Sequence, residues 1–171
     1  MKKLLALALA VIMVASMSTV AFAAESTTTL TATVPAATYT LNIPANQEIP
    51  FGTTRKSIGN VTVTDAAGFA VGKNLDVTIT YNAFAAEGIS TTIPYALSLS
   101  GNNSTYKAIT SGDVVTFEGK ENGTVAETLI VEGNYEAICL LFTAENEDWG
   151  KALAGEYTST ITFTAEVVVE E

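Results

Sequence analysis

The side chains able to do chemistry in this 171-residue chain are nearly all oxygen acids: eighteen Asp and Glu against eight Lys and Arg, with one Cys and no His. Without His the commonest general base and the commonest transition-metal ligand are missing, so His-dependent triads and most zinc sites are excluded. Catalysis would fall to carboxylates, and glycoside hydrolysis needs two of them about 5 to 10 Å apart across a cleft. None of the acids stands in a recognisable catalytic motif, and the chain is expected to be a non-enzyme. Glu145, Glu147 and Asp148 gather oxygen ligands beside Trp149, which suits Ca2+. Their spacing matches no EF-hand loop and lacks its glycine, which favours a solvated acidic turn and no cofactor. Trp149 and Tyr157 are the candidates for a platform on which a sugar ring stacks, and equally for packing beside the last strand.

Cys139 has no partner in the chain, so no internal disulfide supports the fold. It lies in the apolar run Ala137-Ile138-Cys139-Leu140-Leu141-Phe142, expected to be a strand buried on both faces with an inert thiol inside it. An exposed, reactive or intermolecularly bonded thiol is the alternative.

The elements that must position these groups are strands. Met1 to Ala23 reads as a secretory leader, with Lys2-Lys3, an apolar run from Leu4 to Val14 and Ala21-Phe22-Ala23 as the cleavage signal. The remainder, 24–171, is expected to be a single domain, exported and soluble, because no other stretch approaches the ~18 apolar residues of a membrane span. Period-two alternation then dominates. Expected strands cover Thr28–Val34, Tyr39–Ile43, Ile58–Thr64, Leu75–Tyr81, Tyr95–Ser100, Val114–Phe117, Val125–Val131, Tyr135–Phe142 and Tyr157–Val167. Asp65-Ala66-Ala67-Gly68, Gly101-Asn102-Asn103, Gly119–Gly123 and Gly133-Asn134 read as turns. Asn82–Thr92 reads as a looser segment, and Glu145–Leu153 as a brief helical turn around Trp149. About eight to ten short strands broken by Gly, Pro and Asn predict an all-β, Greek-key sandwich of Ig-like or adhesin-like type, with a β-barrel as the alternative. The Thr ranks opposite the apolar rows, such as Thr158, Thr160, Thr162 and Thr164, are expected on wetted sheet faces.

Three stretches carry a resemblance. They are Tyr39-Thr40-Leu41-Asn42-Ile43-Pro44 leading to Ile49-Pro50-Phe51-Gly52, then Val61-Thr62-Val63-Thr64-Asp65 with Gly68, then Ala154-Gly155-Glu156-Tyr157 running through Thr164. Together they resemble the small secreted β-sandwich surface proteins of Gram-positive bacteria, in particular WxL-type domains. That resemblance implies a β-sandwich and a cell-surface setting. Both W-x-L motifs, to which that family's wall attachment is ascribed, are absent: Phe163-Thr164-Ala165 holds the closing position, and Trp149 is followed by Gly150-Lys151. The sequence has no L-P-x-T-G signal and no lipoprotein cysteine, so neither covalent anchoring route is expected.

Past the leader eighteen acids stand against six bases, a net of −12, and Arg55, Lys56, Lys73, Lys107, Lys120 and Lys151 are scattered apart from one adjacent pair, which argues against nucleic acid as a partner. The chain therefore reads as a secreted, extracellular or cell-wall-associated structural or adhesive protein working by non-covalent protein or glycan contacts. The alternative is a carbohydrate-binding module. Glu25–Val34 alternates and precedes Pro35, so it is expected to pair within its own sandwich or, in a homo-oligomer, to be exchanged into a neighbour.

Overall fold

The chain is nearly all β, and its elements follow the alternation of its residues. The computed structural model describes Leu30 and residues 36–101, 106–127, 130–131 and 135–170. Contacts divide the chain into Met1–Thr33 and Val34–Glu171, and every described strand belongs to the second unit. In order these are β1 Thr38–Asn42, β2 Arg55–Gly59, β3 Thr62–Ala67, β4 Lys73–Tyr81, β5 Phe84–Ala86, β6 Ile89–Ile93, β7 Ala96–Gly101, β8 Tyr106–Ile109, β9 Asp113–Phe117, β10 Ile130–Val131, β11 Tyr135–Thr143 and β12 Ile161–Val169, with one short helix, α1 Asn146–Lys151, before β12. The expected leader lies outside the described residues. So does the expected strand Thr28–Val34, apart from Leu30, which is exposed and in no strand.

Among the described residues all strand pairing is antiparallel. One sheet runs β12-β4-β9; another runs β10-β11-β7-β8, with β2 also bonded to β11; β1-β3 and β5-β6 make two-stranded ribbons. Among the described residues no sheet closes on itself, so the fold is a sandwich and not a barrel. Leu75, Val77 and Ile79 of β4 and Val115 and Phe117 of β9 meet Leu97 and Leu99 of β7, Ile109 of β8, and Leu140 and Phe142 of β11 in a single core. Alternation selects them. Residues i and i+2 share a sheet face, and the core-facing positions of these strands are apolar, with charges such as Lys73, Lys107 and Asp113 only toward strand ends.

Several expectations need correction. The expected strand Ile58–Thr64 is two strands in different sheets, because Gly59 takes φ 120°, where a Cβ would lie 3.2 Å from Pro44 Cβ, and turns the chain there. Asp65 is not in a turn. It sits at φ 53° inside β3, where the register to β1 skips from Thr40↔Thr64 to Thr38↔Ala67, a bulge. The segment expected to be loose, Asn82–Thr92, holds the β5-β6 hairpin closed by Glu87-Gly88, and β8 appears where no strand is expected. Of the expected strand Val125–Val131, Ile130–Val131 pair as β10, Val125 makes a lone bridge to Gly119, Ala126 and Glu127 are in no strand, and 128–129 lie outside the described residues. The last strand starts later than expected, at Ile161, because Thr158 is bonded to Ala85 of β5. Ile43, the last residue of the expected strand Tyr39–Ile43, lies beyond β1 and is exposed.

β11 is the central strand, bonded to β7 on one edge and to β2 and β10 at other positions along its length. Leu140 and Phe142 enter the core, and Leu141, facing away from it, is buried as well. Cys139 is half-buried and free rather than sealed inside.

Candidate functional site

One concavity of the described surface begins with a turn. Thr53 N–H donates to Pro50 O at 3.1 Å, and Gly52 at the third position takes φ 77°, the geometry that a type II turn demands of glycine. That turn throws Phe51 outward, where its ring is 78% exposed. α1 is fastened beneath it: the Trp149 indole N–H donates to Thr53 O at 2.9 Å, and the Phe51 ring meets the Trp149 ring edge-on at 5.6 Å. Trp149 is itself only 7% exposed and leans on Phe84 at 6.3 Å. The indole is therefore an anchor with its polar atom already used, and Phe51 is the ring that faces solvent.

The opposite wall is the strand-like segment from Ala152 to Ser159. Reciprocal hydrogen bonds between Ala85 and Thr158, at 2.8 and 2.9 Å, tie it to β5. Gly155 passes so close to β6 that a Cβ there would lie 2.7 Å from Ile89 Cδ1. Tyr157 Oη accepts the Leu153 N–H at 3.2 Å, which folds the segment over its own ring and leaves Leu153 exposed. The cleft so enclosed has a volume of about 1000 Å3. Phe51, Trp149, Leu153 and Tyr157 give it apolar surface, and Gln47 and Glu48 are among its polar lining. Apolar rings beside a few amides and carboxylates can hold a ligand that has one apolar face and hydroxyls at its rim.

No family model, curated protein or solved structure matches the chain. The likeness to WxL domains thus rests on the sequence motifs alone, and the cleft has to be read from its own chemistry.

Of the expected site residues, Trp149 and Tyr157 are brought to this one cleft, although only as wall and floor. Phe51 is the residue that sequence reasoning missed. Its signal is Pro50-Phe51-Gly52, a turn signature with an aromatic at the tip. The acidic trio is not assembled around a point. Lys151 Nζ lies 2.9 Å from Glu147 and 3.5 Å from Asp148, and Glu145 contributes its backbone carbonyl to the Asp148 and Trp149 N–H groups. A hydrogen bond from Lys151, reinforced by its charge, holds the Glu147 carboxyl below the ordinary glutamate range, and the same bond raises Lys151. Acids in the first turn and a base in the last complement the helix dipole. Among the described residues no three His, Cys, Asp or Glu side chains converge as a metal group.

Behind the cleft Tyr95 stacks on Tyr81 at 5.2 Å and donates to Ser159 Oγ at 2.8 Å, and Ser159 in turn donates to Asn82 O at 2.7 Å. Burial raises the Tyr95 phenol above its ordinary value. This relay fixes the end of the cleft wall and leaves no polar atom reaching for a ligand.

Proposed function

We propose that the protein is a secreted, surface-associated β-sandwich that works by non-covalent contact, and that the contact is made with a glycan in the cleft between the Pro50–Thr53 turn and the Ala152–Ser159 segment. The observation that carries this reading is the position of Phe51: a large ring, 78% exposed at a turn tip, backed by a buried indole and flanked by Tyr157. Free energy is lost by leaving such a ring in water, and a ring supported from behind costs little further entropy to order on binding. The apolar face of a pyranose fits the aromatic wall, and its hydroxyls fit the amides of Asn46 and Gln47 and the carboxylates of Glu48 and Glu156.

Binding of cell-wall polysaccharide and of a glycan panel to the exported protein tests the reading. Phe51→Ala should reduce affinity about tenfold or more, while the melting temperature stays close to that of the parent because the ring is exposed. Retained glycan binding by that variant, or no binding to any glycan, overturns the assignment. Trp149→Ala is a poor substitute, because it removes a core anchor.

A further inference from the structure

The two edges of the β12-β4-β9 sheet are finished differently. On β9 the inward residues Val115 and Phe117 are fully buried, as are Leu75, Val77 and Ile79 of the central strand. On β12 the equivalent row, Ile161, Phe163, Ala165 and Val167, is only half-buried. Beside it runs a second groove of about 380 Å3, lined by Ile43, Pro44, Ile49, Phe142, Ile161 and Phe163. Among the described residues β12 is bonded along one edge only, to β4, through nine consecutive partners from Ile161↔Tyr81 to Val169↔Lys73 without a bulge. Natural edges are blunted by Lys, Pro, bulges or shortness. This one is long and regular, and Glu166 is its only charge. The core is open along β12, and the backbone there offers a template for one more strand.

We propose that the missing strand is Ser26–Val34 of a second copy of this chain, so that the protein assembles by strand exchange. Three observations select that occupant. The segment has the length, nine residues against the nine of β12, roughly 30 Å of strand. It has the pattern, with Leu30, Ala32 and Val34 on one face to enter the groove and Thr29, Thr31 and Thr33 on the other to continue the outward rank of Thr162 and Thr164. It carries no charge, in a chain of net −10 whose copies otherwise repel one another. Leu30 is 90% exposed in the single chain, an apolar side chain left in water where such a strand needs its central knob. The inference goes beyond the glycan cleft and does not rest on it, because the two use different residues at their centres.

Sedimentation of the full exported chain over a hundredfold range of concentration is the test. The expected result is mass that rises with concentration, falling to the monomer in Leu30→Asp with an unchanged melting temperature and circular dichroism. A synthetic Ser26–Val34 peptide should bind the Leu30→Asp chain and cap growth of the parent. Phe51→Ala should assemble as the parent does, which separates this outcome from that of the cleft. A chain that stays monomeric at every concentration overturns the proposal in either of two ways. If Leu30→Asp then lowers the melting temperature, the segment fills the groove of its own chain; if it does not, the groove belongs to another partner. Oligomers that survive Leu30→Asp also overturn it.

Discussion

At the scale of the residue, the clearest dependence lies where β4 and β9 end together. Asn74 is 4% exposed; its amide donates to Glu170 at 2.8 Å and its carbonyl accepts the Gly119 N–H at 2.9 Å. Asn74→Ala leaves that N–H without its partner and should cost about 1–3 kcal/mol in urea denaturation. Gly119 is enclosed more tightly. A Cβ there would lie 2.1 Å from Ala70 O and 2.2 Å from Lys73 O, both backbone atoms, so Gly119→Ala should cost about 3 kcal/mol, measured in the same way. The requirement is one of space and not of φ. Tyr95 gives a pH dependence. Its folded pKa is raised by burial, so folded and unfolded chains are equally protonated below the ordinary tyrosine value of about 10, and above it the folded chain holds the extra proton. Stability is therefore full below that value and falls as pH rises from it toward the folded pKa. Tyr95→Phe should lose about 1 kcal/mol at neutral pH with its Ser159 bond, and its alkaline decline should be shallower than that of the parent.

At the scale of the element, legibility tracked how far a strand's own residues determine its burial. β4, β7, β9 and β12 were readable because their apolar residues alternate without interruption, and the inward rows Leu75/Val77/Ile79 and Leu97/Leu99 are those expected. The β5-β6 hairpin was not readable. Phe84-Ala85-Ala86 and Ile89-Ser90-Thr91-Thr92-Ile93 have little contrast between faces, and the pair is held in place by Thr158 of a distant segment. The same reason hid Phe51, whose exposure depends on a helix nearly a hundred residues away. The helical turn around Trp149 was anticipated, with α1 at Asn146–Lys151. Its carboxylates were readable as a cluster, but their turning to Lys151 is a matter of side-chain geometry. β11 supplies the prediction at this scale. Bonded to β7 on one edge and to β2 on the other, its Leu140–Thr143 amides should exchange hydrogen more slowly than those of the β12 edge, approaching the rate set by global unfolding. Amide exchange followed by mass spectrometry or NMR checks this.

At the scale of the whole molecule, stability rests on one core without a covalent brace. Cys139 is the sole cysteine and is free, so the melting temperature of the monomer should be the same with and without reductant, as calorimetry can check. The order of the strands has a kinetic consequence. Among the described residues β2 finds its only neighbour in β11, Arg55 opposite Thr143, and β4 takes one of its two from β12, Lys73 opposite Val169. Contacts so far apart in sequence must close long loops before they stabilise anything, which places refolding at the slow end of the range for small domains. The strands that emerge early can pair among themselves, but the larger sheets stay incomplete. A polypeptide arrested before β11 holds the pairs β1-β3, β4-β9, β5-β6 and β7-β8 but lacks both β11, on which β2, β7 and β10 converge, and β12, the second partner of β4, so completion of the two larger sheets must wait for the last forty or so residues.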